Sequence, residues 1–354
     1  MNVVGQKIKL DQLTGLRYFA ALLVFFSHLK WDNAPSALQI VFEQGYVGVS
    51  FFFVLSGFVL SYSYGDKVRS GALSLKTYML LRLARLSPLR FITAAPFVLL
   101  GLYQGNLDWL KTLLNLLYLH SWAPIASFYF SLNAPSWSLS NELFFYLCFF
   151  PLVLLPTRSQ LRIALGLLAV VVLAACLVYW RLDEHKLFGH QTFAHWLFYI
   201  FPGFRLLEFI IGMVLYGFWK DGWRIQPFCL APSYLLLVVA MYFAHLIPEP
   251  FRFSLWFLPV IVLFFYAHLD EDGLATRFYS HRTLVLLGNA SFAFYLIHQP
   301  LIQVFTRVLA SLKLSNWGFC LVAWLAISAL SVAAYLLYEK PAESFLKSRI
   351  RKAA

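Results

Sequence analysis

The chain has 354 residues, of which 61% are hydrophobic and only 12% are charged, and its formal net charge is +12. About a quarter of the residues in an ordinary soluble domain are charged, so this composition excludes that class of protein. Aromatic residues reach 19%, as expected where rings form belts at both membrane interfaces. No polar block is long enough to fold alone. We therefore predict one integral membrane domain over residues 1–354, with its positive charge on cytoplasmic loops and no nucleic-acid partner.

Apolar runs of about 20 residues predict helices that cross the ~30 Å hydrocarbon core of a bilayer. Lys and Arg collect in alternate loops, which the positive-inside rule places in the cytoplasm. This asymmetry is kept only if the apolar helix 107–120 does not cross, so we predict that it is re-entrant or interfacial. Both termini are then cytoplasmic, and residues 339–354 form a basic tail. The predicted fold is an all-α polytopic bundle of about ten transmembrane helices, at 13–29, 45–64, 84–103, 136–156, 161–180, 203–219, 228–247, 253–268, 283–308 and 315–338.

The first predicted span carries two ionisable residues, Arg17 and His28, in the otherwise apolar run GLRYFAALLVFFSHL. Eleven residues separate them, which is close to three helical turns, so both point to one side about 16 Å apart along the axis. Ionisable residues within spans cost roughly 2.5–3.5 kcal/mol and usually face a bundle interior or a wet cavity. The pair predicts a polar path along this helix. Alternatively, Arg17 reaches the headgroups at one interface and His28 lies at the other.

Two arginines, Arg82 and Arg85, lie one helical turn apart at the predicted cytoplasmic end of the third span, with Arg90 just beyond. The planar guanidinium group suits phosphate oxygens, so the pair is a candidate site for an anionic cofactor. Basic residues also flank cytoplasmic span ends without binding any ligand, and this second interpretation stays open.

Only two of the sixteen acidic residues, Glu142 and Glu208, lie well inside predicted spans. Ser138 and Glu142 are four residues apart and share a helix face, which predicts the wall of a polar pocket. A first helical turn at the outer interface would also favour a carboxylate there. Glu208 follows Arg205 by three residues, and we predict a buried structural ion pair.

A histidine in the late span, His298, is a further candidate, and a structural role inside the bundle suits it equally well. We expect His298 to contribute less to activity than His28, because only a single position in the late span supports its role. No His-x3-His spacing occurs, so we predict no metal site, and no Gly-x-Ser-x-Gly nucleophile elbow occurs.

Five motifs in this order resemble the acyltransferase-3 family of bacterial membrane acyltransferases over about residues 11–346. Each motif alone is short, and their order within a multi-span chain is the more specific signal. They are the arginine, ten residues, then histidine of Arg17 and His28; the glycine- and phenylalanine-rich Gly48 to Phe58; the Arg-x-x-Arg of Arg82 and Arg85; the Trp-Ser-Leu-x-x-Glu of Trp137, Ser138 and Glu142; and the Tyr-Leu-x-His-x-Pro of Tyr295, His298 and Pro300.

The resemblance implies an enzyme of the bacterial cytoplasmic (inner) membrane that moves a short acyl group, usually acetyl. The donor would be cytoplasmic acetyl-CoA or another acyl-CoA, acting as a substrate and not as a bound cofactor. The acceptor would be a hydroxyl of a cell-surface or lipid-linked glycan, such as exopolysaccharide or lipopolysaccharide O-antigen. Because the chain ends at Ala354 without a C-terminal esterase-like domain, we expect the stand-alone type. Its oligomeric state stays open.

The resemblance also implies roles for the candidate residues. Arg82 and Arg85 would bind the phosphates of CoA, and His28, as a neutral imidazole, would be the general base. Arg17 would hold the pantetheine arm or stabilise developing negative charge, and Glu142 would orient His28 or the sugar. The weaker pocket residues are Ser138, Trp137, Tyr295 and His298.

Two alternatives remain at this point. Transfer could proceed directly in a ternary complex, which we favour because no serine or cysteine nucleophile stands out, or through an acyl-histidine. In a different class of protein, the Arg, His and Glu residues would form the relay of a multi-span transporter or proton-coupled exporter.

Overall fold

The chain folds into helices, and the residues that the structure describes contain no strand. The structure is a computed structural model, and short 3₁₀ and π-helical turns join many of its helices. It describes residues 10–31, 34–181, 192–225, 227–269, 273–312 and 314–353.

The α-helices of the first half include the helices that carry four of the five sequence motifs. They are α1 (Asp11–Ser27), α2 (Ser36–Glu43), α3 (Val47–Arg69), α4 (Leu75–Tyr103), α5 (Trp109–Leu116), α6 (Ala126–Tyr129) and α7 (Trp137–Val153).

The second half adds long helices separated by shorter ones. They are α8 (Thr157–Arg181), α9 (Phe193–His195), α10 (Pro202–Lys220), α11 (Leu230–Phe243), α12 (Glu249–Arg252), α13 (Leu258–Ala267), α14 (Leu274–Tyr279), α15 (Arg282–Asn289), α16 (Ser291–Val308), α17 (Asn316–Ala334) and α18 (Lys340–Ala353).

Among the described residues, five helical stretches are long and apolar enough to cross a membrane, and the bent pair α15–α16 is a sixth candidate. This supports the prediction of an all-α membrane protein. Helices α1 and α7 have 17 residues each, about 26 Å, which is slightly short of a ~30 Å core. The number ten therefore stays a prediction. The five stretches are Ser36–Arg69, Leu75–Tyr103, Thr157–Trp180, Phe193–Lys220 and Asn316–Lys352.

Two of the predicted spans are wrong as continuous helices. The span 283–308 is two helices, α15 and α16, that meet at 62°. The span 253–268 contains only the ten-residue α13, preceded by the separate turn α12. The apolar pattern does not reveal either interruption, because hydropathy averages report how apolar a stretch is and not whether its axis is straight.

The apolar helix predicted at 107–120 is short. Its helical part, α5, has eight residues and a length of about 12 Å, too little to cross a bilayer. Arg90 on α4 anchors this region: its Nη2 donates a hydrogen bond of 2.9 Å to Oδ1 of Asn115, and its guanidinium lies 3.6 Å from the ring centre of Tyr118. Arg90 is 1% exposed and therefore has a structural role, apart from Arg82 and Arg85.

Helix α3 lies at the centre of the bundle and packs against α1, α7, α10 and α13. Two glycines of α3 make this packing close. A Cβ at Gly48 would lie 2.3 Å from the carbonyl oxygen of Ala20 on α1, and one at Gly57 would lie 2.0 Å from that of Phe209 on α10. A side chain at either position would force the helices apart, so these contacts hold α1 in register with α3.

The predicted buried ion pair is confirmed. Arg205 Nη1 lies 2.9 Å from Glu208 Oε1, and both side chains are 0% exposed. Arg205 also donates hydrogen bonds to the hydroxyls of Ser50 on α3 and Ser254, at 3.0 and 2.8 Å. The pair therefore ties α10 to α3 in the interior of the bundle.

The predicted topology has a direct test. We expect reporter fusions after residue 181 and after Arg277 to report opposite sides of the membrane, the first outside and the second cytoplasmic, because five crossings precede one and eight precede the other. Fusions of an alkaline phosphatase and a fluorescent reporter at each position measure this. If both positions report the same side, the predicted count is wrong.

Candidate active site

Three cavities lie in a row through the bundle. The outer cavity, of about 430 Å³, is lined by His28 and His298. The middle cavity, of about 60 Å³, is lined by Ser138 and Glu142. The inner cavity, of about 150 Å³, is lined by Arg82, Arg85 and Glu142.

Neighbouring cavities share wall residues, so the three form one interrupted path. Val49 and Tyr295 line both the outer and the middle cavity. Arg17, Glu142 and Phe292 line both the middle and the inner cavity. The path therefore joins the arginines at one end to the two histidines at the other.

The ionisable residues Arg17 and His28 of the first predicted span both lie on this path, as their predicted shared face requires. Arg17, near the start of α1, lines the middle and inner cavities, and His28, just after its end, lines the outer one. Helix α7 runs the opposite way, from Trp137 at the outer cavity to Tyr146 at the inner cavity. The two helices are therefore antiparallel along the cavities, and the names outer and inner follow the sides predicted for the first and fourth spans.

The hydrogen bonds of His28 determine which of its nitrogens can accept a proton. Its Nδ1 lies 2.8 Å from the carbonyl oxygen of Val24, one turn earlier on α1. A carbonyl oxygen only accepts hydrogen bonds, so Nδ1 carries the hydrogen. In the neutral ring Nε2 is then the basic atom. The side chain is exposed and lines the outer cavity, so the ring is accessible to a substrate there.

The structure brings His298 to His28, with 5.0 Å between their ring centres. His298 is 0% exposed, and its Nδ1 lies 2.6 Å from the carbonyl oxygen of Tyr295, so it too holds its hydrogen on Nδ1. Its Nε2 has no hydrogen-bond partner among the described residues. A buried nitrogen without a partner is unfavourable unless a ligand supplies one, so Nε2 of His298 is a candidate contact for a substrate.

The boundary between the outer and middle cavities depends on one carbonyl group. The hydroxyls of Tyr295 and Ser138 both donate to the carbonyl oxygen of Pro135, at 3.0 and 3.2 Å. Trp137 lines the outer cavity and packs on Tyr199, with 4.8 Å between ring centres. The motif residues of α7 and α16 thus meet at the narrow part of the path.

Glu142 lies on the path but away from His28, so of its two expected roles, orienting His28 or the sugar, the first does not fit its position. It lines the middle and inner cavities, and its Oε2 accepts a hydrogen bond of 3.2 Å from the hydroxyl of Tyr146. Its nearest cationic neighbours are the arginines of the inner cavity, including Arg17. The shared face of Ser138 and Glu142 is confirmed, since both line the middle cavity.

Arg17 lies near several charged side chains but is bonded to none of them. In the described part of the chain it makes no hydrogen bond and no ion pair within 4 Å. It interacts at longer range with Arg85, Glu339 and Glu142. A half-buried guanidinium group with five unbonded N–H donors is suited to a ligand that accepts several hydrogen bonds.

The arginine pair predicted from the sequence lines the inner cavity, but its two members have different partners. Arg82 donates to the hydroxyl of Tyr64 and lies 4.4 Å over that ring, and no carboxylate of the described residues pairs with it. Arg85 Nη1 lies 2.7 Å from Glu343 and 3.1 Å from Glu339, which follow α17 in the chain. Sequence reasoning missed both carboxylates, because they belong to the polar C-terminal segment.

Two further polar residues of the outer cavity also escaped the sequence analysis. His195 on α9 is 9% exposed, and its Nδ1 has no partner among the described residues. Glu43, at the end of α2, lines the same cavity, together with the rings of Tyr46 and Phe253. No local signal marks these residues, because they lie at the ends of short helices that only the fold brings to His28.

The family model of the acyltransferase domain of the acyltransferase-3 family matches residues 10–339. The chain is 32% identical over 349 residues to Acyltransferase MdmB of Streptomyces mycarofaciens, covering 92% of this chain and 88% of that one. It is 25% identical to Exopolysaccharide production protein ExoZ of Rhizobium meliloti, covering 85% and 90% of the two chains. No solved structure matches the chain.

A third relative is Peptidoglycan O-acetyltransferase OatA of Listeria monocytogenes, at 25% identity, with 96% of this chain and 55% of that one covered. The family match covers every residue that lines the three cavities, from Arg17 to Gln299. It decides between the two classes of function considered from the sequence, in favour of the enzyme. The chain therefore belongs to the acyltransferase-3 family and is an acyltransferase that transfers groups other than amino-acyl groups.

Proposed function

We propose that the protein moves an acetyl group from cytoplasmic acetyl-CoA to a hydroxyl of a cell-surface or lipid-linked glycan. The observation that carries this proposal is the row of three cavities, with arginines at one end and two histidines at the other. Such a path lets the two substrates approach from opposite sides of the membrane. The relatives named for exopolysaccharide production and for peptidoglycan O-acetylation support a glycan acceptor.

The length of the path suits an acyl-CoA. Arg17 and His28 are about 16 Å apart along α1, and an extended pantetheine arm spans roughly 15–20 Å. With its phosphates among the arginines of the inner cavity, the donor would extend its arm through the middle cavity. The thioester would then lie near His28. The middle cavity is narrow, so Tyr295 and Ser138 must yield for the arm to pass.

The chemistry proposed for the outer cavity is a direct transfer. His28 Nε2 accepts the proton of the sugar hydroxyl as the oxygen attacks the carbonyl carbon of the thioester. The new C–O bond forms, the C–S bond breaks, and the CoA thiolate leaves toward the inner cavity. The proton on His28 is then released to the thiolate or to solvent. An acyl-histidine would place the acyl group on the same Nε2, and direct transfer needs no such intermediate.

The positions of Arg17 and Glu142 favour roles in donor binding. At about 16 Å from His28 along the helix axis, Arg17 is too far to stabilise a negative charge that forms at the thioester. It lies where phosphates or pantetheine amides would pass. Glu142 lies beside it and balances part of the positive charge of the inner cavity. Both residues then affect donor affinity more than the transfer step.

The outer cavity has the properties of a sugar site. Tyr46, Trp137, Tyr199 and Phe253 present aromatic surface, and the histidines with Glu43 present hydrogen-bonding groups. Aromatic faces pack against the C–H faces of sugars, while a few placed polar groups select hydroxyls.

Acetyl-CoA binding and glycan analysis test the proposal. We expect acetyl-CoA to raise the melting temperature of the purified protein in detergent, since a ligand that binds only the folded state stabilises it. We also expect membranes containing the protein to transfer labelled acetyl from acetyl-CoA to glycan, and a deletion strain to lose O-acetyl groups from one envelope glycan. No stabilisation by any CoA compound, together with unchanged glycan acetylation, would contradict the proposal.

We expect His298→Ala to lower kcat about 10- to 100-fold with little change in the KM for acetyl-CoA, because the ring packs on His28 and not on the donor site. The assay is labelled acetyl transfer in membranes, normalised to protein level. His281→Ala is the matched control, since His281 caps α15 outside the three cavities and should leave the rate unchanged. A rise in donor KM with an unchanged kcat would place His298 in donor binding instead.

A further inference from the structure

We propose that the two arginines of the inner cavity have different functions: Arg82 binds a phosphate of the donor, whereas Arg85 is a positioning residue held by Glu339 and Glu343. Arg85 then docks the C-terminal helix α18 against the cavity and does not contact the donor. This inference rests on the proposed function, since it concerns the binding of acyl-CoA.

Arg85 already has its counter-charges. Its Nη1 lies 2.7 Å from Glu343 Oε2 and 3.1 Å from Glu339 Oε1. Glu343 also forms an ion pair with Lys347, one turn later on α18, with 2.5 Å between Nζ and Oε1. A phosphate that bound Arg85 would have to displace one carboxylate and would then meet the repulsion of the other.

Glu339 depends on Arg85 in particular. It is 1% exposed, and neither of its carboxylate oxygens has a hydrogen-bond partner among the described residues. The nearby positive charge of Arg85 is therefore its main compensation for burial. Glu339 ends a π-helical turn, Tyr335–Glu339, that joins α17 to α18, so the ion pair holds this junction against α4.

Arg82 differs from Arg85 in its hydrogen-bond and ion-pair partners. Its side chain lines the inner cavity, and no carboxylate of the described residues forms an ion pair with it. The Tyr64 hydroxyl accepts one of its five N–H donors, and its buried Nε has no partner. Because a guanidinium group binds phosphate oxygens with several donors at once, the remaining ones suit a phosphate.

Local charge makes the same distinction. Arg85, Glu339, Glu343 and Lys347 together carry no net charge, whereas Arg82 with Tyr64 carries +1. An anion entering the inner cavity is therefore attracted more strongly to Arg82 and to the unpaired Arg17 than to the Arg85 group, whose charges cancel. The Arg-x-x-Arg motif does not show this difference, because it treats the two arginines as equivalent.

Calorimetric titration of the purified full-length protein with CoA tests the assignment. We expect Arg82→Gln to weaken CoA binding at least about tenfold, as for the loss of a charged hydrogen bond. Lys76→Gln, which removes an exposed cation of α4 outside the cavity, is the matched control and should leave the dissociation constant within about twofold.

The decisive variant neutralises the whole Arg85 group: Arg85→Gln with Glu339→Gln and Glu343→Gln. We expect it to bind CoA within about threefold of the wild type. A tenfold loss in a variant with a normal melting curve would make Arg85 a phosphate ligand and overturn the assignment.

If this variant does not fold, the single variant Glu343→Gln decides. Unchanged CoA affinity supports the assignment, whereas several-fold tighter binding means that Glu343 competes with phosphate for Arg85 and overturns it. If the wild type binds no CoA, the proposed function itself fails and this assignment with it.

Discussion

His28→Gln is expected to lower acyl transfer by about 10²–10⁴-fold, the range that a general base contributes. Glutamine keeps a side chain of similar length that can donate and accept hydrogen bonds, but it does not take up a proton near neutral pH. The imidazole is held with its hydrogen on Nδ1, toward Val24, so its loss removes a base that already has the correct tautomer. The measurement is labelled acetyl transfer to glycan in membranes, with protein levels normalised by immunoblot.

CoA binding provides the control for this variant. We expect its dissociation constant to stay within about threefold, because His28 lines the outer cavity and the phosphates lie in the inner one. Arg17→Lys should show the complementary pattern, a higher KM for acetyl-CoA, since lysine keeps the charge but loses the planar fork. A His28→Gln enzyme that retains more than about a tenth of the wild-type rate would exclude His28 as the general base.

Arg205→Ala is expected to destabilise the folded protein by about 3–5 kcal/mol, the cost of leaving a buried charge without its partner. Glu208 is 0% exposed, and the arginine supplies its ion pair. The guanidinium also packs 5.0 Å from the ring of Phe53 and 5.3 Å from that of Tyr199, so its removal loosens the wall of the outer cavity. The fraction of folded protein extracted in mild detergent and its melting temperature measure the effect.

The double variant Arg205→Met with Glu208→Leu separates the charge from the packing. Replacing both ions by apolar side chains removes the unpaired charge, so we expect it to be more stable than Arg205→Ala. Arg162→Ala, which removes an exposed arginine of α8, is the control and should change the melting temperature little. If Arg205→Ala melts at the wild-type temperature, the ion pair does not hold the fold.

Local sequence patterns were sufficient for relations within one helix. Arg17 and His28 were placed on a common face by their eleven-residue separation, and both line the row of cavities. Arg205 and Glu208 were paired by their i, i+3 spacing, and the structure confirms the contact. In each case the period of the α-helix alone fixes the relative direction of the side chains.

Relations between helices required the tertiary structure. The sequence treats Arg82 and Arg85 as equivalent, but carboxylates 258 and 254 residues away pair with only one of them. Glu142 has the spacing of a pocket residue, yet the position of α7 along the cavities places it at the arginines and away from His28.

The sequence by itself determined that this is an all-helical membrane protein, which motifs it carries and which residues share a helix face, because hydropathy and helical period are local properties. Only the tertiary structure decided that His298 meets His28, that the span 283–308 is bent, and that Glu339 and Glu343 hold Arg85. These features depend on where separate helices approach each other. That placement follows from close packing, such as the contact of Gly57 with α10, which no single stretch of sequence specifies.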